Sequence, residues 1–515
     1  MKPNFKNFRK HKLIFFFAII SFLFFSCNNK NPNITKKELE EYLQAEMQKQ
    51  QIPGLSYAIV LDGKIIDSGA HGLANIGLKV PITLNSKFNI GSIGKTFTAT
   101  SIMLLQRDGK LSINDPINKY LDSLPATWNI ITIKHLLTHT SGIRDYCQDF
   151  PNYPLIRGAT GEGLEERKIE ISELQFIKLA TTDPLNFTPG ERFAYSNSNY
   201  FLLGFIIQKV SGQSLSTFMS ERLFTPAGMT ETMRENVSAI VPDRATGYNL
   251  NENNILINGA YISNFYSSQG DMGIITTAKD LTKWIIALEG GKILDKESLR
   301  QMWTPCKLKN GFEPMDAYGS YSYGYSYGLG WELNCHNGYI EIGHGGDFMN
   351  GFTAKFVHFP EKSLTVVALT NLQPWKISQP GVDVYRMAGF YVPELNAIDQ
   401  FQTASTFDSS LNNMVRNFYN KLRSKGEFDT SVVAINFKER TNPIMDKLIT
   451  ENLSNNEPNI YVSCIKTDLL GERNLVRWGV HVNKINYYKI IEENKAPIYM
   501  AIYFSAENKI ADISY

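Results

Sequence analysis

The chain separates into stretches by the spacing of its apolar residues. Thr35 to Gln51 sets Leu39, Tyr42, Leu43 and Met47 among charges at helical spacing, which predicts an amphipathic helix. Leu55 to Val60 and Lys64 to Gly69, entered through Pro53-Gly54 and joined by Asp62-Gly63, predict a hairpin. Lys95 to Gln106, with Phe97, Ile102, Leu104 and Leu105, predicts a largely buried helix that leaves through a turn at Arg107 to Lys110. Ile131 to Gly142 predicts a helix with His135 and His139 one turn apart. Further helices are predicted over Ser172 to Ala180 and over Tyr200 to Val210, the latter capped by Ser198 or Asn199. In Gly270 to Trp284, Thr277 is placed as an N-cap, with Asp280 in the capping-box position.

Strands dominate the next part of the chain: Tyr325 to Leu333, Tyr339 to Ile342, Phe352 to Phe359 and Leu364 to Thr370, then a helix from Val382 to Phe390. Strands at both ends and helices between predict an α+β fold, an α/β sandwich whose antiparallel sheet is closed by both chain ends around an all-helical insert. Ala397 to Ser410 is polar and reads as a linker. Beyond it, helices at Leu411 to Lys425 and Asn442 to Leu453 precede strands at Ile460 to Thr467, Leu475 to Val482, Tyr487 to Glu492, Ile498 to Phe504 and Ile510 to Tyr515. That order predicts a second, small α+β unit. The expected division is 1–26 signal peptide, 27–35 tether, 36–395 main domain, 396–410 linker and 411–515 accessory domain.

Composition adds little until the N-terminus is set aside. The 515 residues, 43% hydrophobic and 20% charged, suit a globular protein, and a net charge of +2 carries no nucleic-acid signature. Lys2, Lys6, Arg9, Lys10 and Lys12 precede an apolar run from Leu13 to Phe25 that is short for a membrane span and fits a signal-peptide core. Removal of those five cations turns +2 into −3. Leu23 to Cys27 resembles a bacterial lipobox, although Phe24 and Phe25 depart from its usual small residues. The resemblance implies a lipidated Cys27 and a membrane-anchored lipoprotein of the cell envelope, with Asn28 to Asn33 as tether. The other four cysteines, Cys147, Cys306, Cys335 and Cys464, show no metal spacing, and export permits a disulfide without requiring one.

Candidate chemistry centres on Asn89 to Ala99. Ser92 and Lys95 stand three apart, so a helix starting at Ser92 puts both on one face. A serine hydroxyl needs a base to take its proton, and a lysine can be that base when its pKa is lowered towards neutrality. The backbone N–H of Ser92, at a helix N-terminus, can help hold an oxyanion. His135 and His139 invite a zinc reading, but Leu136 stands where a zinc protease motif needs Glu, so both are read as packing or capping residues. After the Pro189-Gly190 turn, Tyr195 and Asn197 are two apart on an expected extended piece, where both face one cleft. Gly343-His344-Gly345-Gly346-Asp347 has glycines that let a substrate lie against the backbone.

Ser-x-x-Lys at Ser92, Tyr-x-Asn at Tyr195 and His-x-Gly at His344, in that order, resemble the penicillin-recognising serine hydrolases. The similar branch holds class C β-lactamases, DD-peptidases, D-aminopeptidases and related esterases. Leu136 to Gly142, Phe187 to Gly190 and Gly270 to Trp284 resemble the same family, so the likeness covers roughly Glu38 to Gly389. It implies that Ser92 forms an acyl-enzyme and that Lys95 and Tyr195 share the proton work, the base being either of the two. It also implies that Asn197, His344 and Gly346 bind substrate and that the N–H groups of Ser92 and Asp347 form the oxyanion hole. No cofactor or metal is implied. The expected partners are a small-molecule or short-peptide substrate, cell-wall fragments among the candidates, and the membrane, with no nucleic acid.

One position departs from the pattern. His344 stands where many of these enzymes place a lysine for a substrate carboxylate, and a mostly neutral imidazole pulls a carboxylate less strongly. The expected bond is therefore an ester, an amide or a D-amino-acid peptide at least as much as a β-lactam. The alternative is a penicillin- or peptidoglycan-binding sensor that is non-hydrolytic or deacylates slowly. The C-terminal unit resembles small NTF2-like cone domains in pattern alone.

Overall fold

The computed structural model describes residues 32–147, 172–236, 238–259, 269–311, 313, 326–348, 350–373, 381–396, 409–425, 433, 460–469, 476–477, 480–492 and 498–514. The expected signal peptide, Cys27, the helix at Asn442 to Leu453 and most of the linker lie outside these residues.

The hairpin forms as its turn dictates. Strand β1 (Gly54–Leu61) turns through Asp62 and Gly63, both with positive φ, into β2 (Lys64–Asn75), and β3 (Val80–Pro81) comes next. The remaining strands of this sheet come from the far end of the chain: β4 (Ser326–Tyr327), β5 (Glu332–His336), β6 (Tyr339–Phe348), β7 (Phe352–Phe359) and β8 (Leu364–Thr370). Their order is β3-β2-β1-β8-β7-β6-β5-β4. The junction between the two halves is the antiparallel β1–β8 ladder, which runs from Leu55 opposite Thr370 to Leu61 opposite Leu364. The expected closure of the sheet by both chain ends is thus what forms.

Both faces of this sheet are covered, so β1 and β8 are almost wholly buried instead of alternating. Leu55, Tyr57 and Ile59 of β1 join Val366 and Ala368 of β8 on one face. Leu39 and Leu43 of α1 (Pro32–Gln50) and Met387 and Ala388 of a late helix (Val384–Tyr391) pack on them. Helix α1 begins at Pro32, inside the stretch read as tether. Ala58 and Val367 face the other way, onto Leu281, Trp284 and Ile285 of the helix Ala278–Glu289 and onto α2 (Gly94–Arg107).

Helix α2 is the axis of the molecule, with every residue from Gly94 to Leu105 buried. Around it stand α3 (Ile133–Leu137), α4 (Glu173–Ala180) and α5 (Asn197–Ser211), the helical insert that the sequence predicts. Two boundaries differ. Helix α3 stops at Leu137, so His139 is not on its face; it has φ +55° in the loop beyond. Helix α5 starts at Asn197, ahead of both expected caps, because an acceptor from a remote loop meets its first N–H.

Beyond the sandwich, the helix Ser409–Lys425 lays Leu411, Val415 and Phe418 on an antiparallel sheet of Ile460–Leu469, Lys484–Glu492, Ile498–Phe504 and Ile510–Ser514. The expected single strand at Leu475 to Val482 is instead two short pieces, Val476–Arg477 and Val480–His481, paired with each other. Among the described residues no helix is long and apolar enough to cross a membrane.

Candidate active site

The site starts from a backbone turn. Phe88–Asn89 forms a short strand whose Asn89 side-chain oxygen accepts the Gly91 N–H at 2.9 Å. Gly91 then takes φ +50°, a left-handed conformation that glycine adopts without a side-chain clash. The resulting 3-10 turn, Gly91–Ile93, leads straight into α2 and leaves Ser92 half-buried at its head.

One turn further, Lys95 is fully buried. Its Nζ donates to Ser92 Oγ at 2.9 Å, to Asn197 Oδ1 at 2.8 Å and to the Asp271 carbonyl at 3.0 Å, so all three ammonium protons have acceptors. Burial away from water is the main force on this group and pulls its pKa down to about 8, against the opposing charges of Asp271 and Asp145. The Tyr195 ring lies over the same ammonium, 5.0 Å from Nζ to ring centre, and Tyr200 is at 5.7 Å. Asn197 reaches Lys95 from the first turn of α5, not from an extended piece.

Strand β6 closes the site from the sheet side. A Cβ on Gly346 would fall 2.0 Å from the Ile90 carbonyl oxygen and 3.2 Å from the Ser92 nitrogen. A Cβ on Gly91 would meet the Asp347 nitrogen at 3.0 Å. Only bare backbone fits at this junction, and it brings the Ser92 and Asp347 main chains side by side. Pairing of β5 with β6 stops at Gly343, one residue before His344.

The beta-lactamase family profile matches residues 39–383, two-thirds of the chain. This chain belongs to the beta-lactamase family. It is 29% identical over 358 residues to Penicillin-binding protein 4* of Bacillus subtilis (strain 168), covering 65% of this chain and 72% of that protein. A second curated relative, Protein flp of Staphylococcus aureus, is matched over 64% of its length. Among solved structures, a penicillin binding protein from Bacillus halodurans is 26% identical with a TM-score of 0.52, covering 65% of this chain and 96% of that one. A D-stereospecific amidohydrolase from Streptomyces sp. is 25% identical with a TM-score of 0.53, covering 65% of this chain and 93% of that one. The protein is a serine hydrolase of the beta-lactamase fold.

In this beta-lactamase-family site the two histidines expected to pack or cap do so. His135 completes a capping box with Thr132 at the start of α3. His139 stacks on Tyr195, and its Nδ1 accepts the Ser196 N–H at 3.1 Å. Burial holds His139 far below its ordinary pKa, so it is neutral with its proton on Nε2. His344 is also buried and its pKa is lowered, chiefly by desolvation. Its Nδ1–H donates to the Gly345 carbonyl at 2.6 Å, and its Nε2 accepts from Tyr327 Oη at 3.0 Å. Both ring nitrogens of His344, expected to bind substrate, are therefore engaged within the protein.

Sequence reasoning passes over Asp145 and Asp271, both buried within this cluster. Asp271 lies inside the Gly270 to Trp284 run but carries no spacing that marks it. Its Oδ2 accepts from Tyr146 Oη at 2.6 Å, and Arg234, buried beside it, holds the loop by donating to the Gln269 and Met272 carbonyls. Among the described residues no three His, Cys, Asp or Glu side chains are grouped to hold a metal ion, and none of Cys147, Cys306, Cys335 and Cys464 is in a disulfide.

Proposed function

We propose that the protein is an exported, lipid-anchored hydrolase that cleaves an ester, amide or D-amino-acid peptide bond through an acyl-enzyme on Ser92. The observation that carries this reading is the 2.9 Å contact between Ser92 Oγ and a Lys95 amine whose pKa is brought down to about 8. At pH 7 about a tenth of such lysines are neutral, enough to serve as base. In the proposed cycle Ser92 Oγ attacks the carbonyl carbon as its proton passes to Lys95. The N–H groups of Ser92 and Asp347 receive the oxyanion, which such preorganised donors stabilise by about 3–4 kcal/mol each. Collapse of the intermediate breaks the bond to the leaving group, which takes a proton relayed from Lys95 through Tyr195. Water then attacks the ester carbonyl as its proton passes through Tyr195 to Lys95, and a proton from Lys95 returns to Ser92 Oγ as the acyl–oxygen bond breaks and the acid leaves.

The buried state of His344 supports an ester or amide over a β-lactam, since a neutral imidazole with both nitrogens engaged has little pull on a carboxylate. The Streptomyces amidohydrolase is D-stereospecific, which keeps D-amino-acid amides within the proposed range. Export and lipidation at Cys27 rest on the basic, apolar and lipobox-like order of the N-terminus.

The test incubates the protein with p-nitrophenyl acetate and, separately, with a fluorescent penicillin, followed by intact-mass spectrometry of wild type and Ser92→Ala. Ester turnover that depends on Ser92 is expected to exceed penicillin turnover. A single burst without turnover would point to a sensor, and a Ser92→Ala protein that reacts like wild type would end the catalytic reading.

A further inference from the structure

Asp145 lies within the site, yet nothing in the proposed cycle uses it. It is 4% exposed and sits in the loop after Gly142, which is strapped to the start of α5. The Ser196 and Ser198 hydroxyls donate to the Arg144 carbonyl at 3.2 and 2.7 Å, and the Tyr146 N–H donates to Ser198 Oγ at 3.0 Å. The Asp145 carboxylate accepts the backbone N–H groups of Asn197 at 3.0 Å and Cys147 at 3.2 Å. Asn197 Nδ2 lies 3.2 Å from each carboxylate oxygen.

The two ends of a carboxamide have the same size, so only partners decide which end faces where. Burial raises the Asp145 carboxyl to about 6, so above that pH the NH2 end of Asn197 meets a carboxylate with no protons to offer, and the oxygen end meets Lys95 Nζ at 2.8 Å. A flipped amide would set NH2 against the lysine ammonium and oxygen against the carboxylate, opposing like to like at both ends. We propose that Asp145 is a positioning residue, which fixes the Asn197 carboxamide oxygen on Lys95 and thereby aims Lys95 at Ser92. This rests on the acyl-enzyme reading. Asp145 also caps α5 through the Asn197 N–H, a structural role that would affect stability alone.

The experiment measures p-nitrophenyl acetate turnover from pH 5 to 10 for the full-length protein in detergent, as wild type, Ser92→Ala, Asp145→Asn and the swap Asp145→Asn with Asn197→Asp. The swap exchanges donor and acceptor: the new amide NH2 faces the new carboxylate, whose other oxygen faces Lys95. The groups facing Lys95 are Asp271, Asp145, Cys147, Glu332, His139, His344, Tyr195 and Tyr200. Asp145→Asn is expected to lower kcat about 10- to 100-fold, the cost of a small misplacement, with KM little changed. Loss of a negative charge also moves the acid-side midpoint of the pH profile down. The swap is expected to recover most of the lost kcat, with its midpoint above wild type because the charge now touches Lys95 directly.

Thermal melting separates capping from positioning, because both variants lose the same charged cap. An Asp145→Asn protein with wild-type kcat and midpoint would overturn the proposal. So would a folded swap no faster than the single variant, and the swap carries the test alone if the single variant does not fold. Absence of Ser92-dependent turnover in wild type would overturn the acyl-enzyme reading with it, whereas a reactive wild type beside an unaffected Asp145→Asn would overturn this proposal only.

Discussion

Tyr195 lies on His139 with ring centres 4.2 Å apart and planes 28° from parallel. The imidazole beneath is fully buried, held at φ +55° and tied to the Ser196 N–H, so it is a fixed floor for the phenol. His139→Asn, a residue that tolerates this left-handed backbone, should keep the fold while lowering ester kcat about tenfold as Tyr195 loses its support. His139→Ala should lose activity likewise and also melt lower, since strain of this kind costs about 1–3 kcal/mol. Steady-state kinetics beside calorimetry separate the two effects. Wild-type kcat in both variants would show that the stack positions nothing.

The acylation rate should rise with pH through a midpoint near 8 and then level, because the lowered pKa of Lys95 makes its neutral form available there. Lys95→Arg, which stays protonated throughout, should lose about 10²–10⁴-fold at every pH. Stopped-flow acylation of wild type across pH 6–10 reads the midpoint, and a flat profile would exclude Lys95 as the base.

Two neighbouring glycines should behave oppositely. Gly346→Ala drives a methyl to 2.0 Å from the Ile90 carbonyl and must push the Ser92 turn away, so at least about a hundredfold loss of kcat is expected. At Gly345 the nearest atom to an added Cβ is Lys355 Nζ at 4.0 Å, and Gly345→Ala should remain close to wild type. Equal losses in the two variants would mean that contact with the Ser92 turn is not what matters.

Glu341 gives a prediction for stability alone. Burial pushes its carboxyl from 4.5 up to about 7, with Tyr385 Oη at 3.0 and 3.1 Å from its oxygens. Below pH 4.5 both folded and unfolded chains hold the proton. Between about 4.5 and 7 only the folded chain does, so this group's contribution declines as pH rises through that window. Glu341→Gln should remove the decline and be more stable than wild type at pH 8 by up to about 3 kcal/mol. Denaturant melts at pH 5 and pH 8 check the sign.

A feature is legible in the sequence to the extent that it is determined locally. Ser92 and Lys95 share a helix turn, and β1 and β2 share a two-residue loop, so spacing alone places them. The motif marks Asn197, but apolar spacing starts its helix too late, because the acceptor for its first N–H is Asp145, some fifty residues earlier. Nothing local marks Asp145 or Asp271 as members of the site; only tertiary folding brings them to Lys95. His139 reads as the second member of a helical pair because the pattern Leu136-Leu137 runs up to it. The chain instead leaves the helix at Thr138, and the imidazole turns under Tyr195. Glycine neighbours place His344 at the site, while its Tyr327 partner comes from another strand.

The ladder between Leu55 and Thr370 also sets an order of events as the chain emerges and folds. Chain order puts β1 and β2 about three hundred residues ahead of the strand that covers the other edge of β1, so this edge waits until the last strands have emerged. Over that interval a row of unsatisfied backbone groups stands open to any passing strand, and its proper closure is a slow, non-local step. The same wait governs reactivity. Ser92, Lys95 and Tyr195 all lie early in the chain, yet Gly346 and Asp347 reach the Ser92 turn only when the last strands zip into place. A chain still emerging therefore holds Ser92 without the Gly346–Asp347 backbone beside it, and on the proposed mechanism it gains activity only once the last strands are in place.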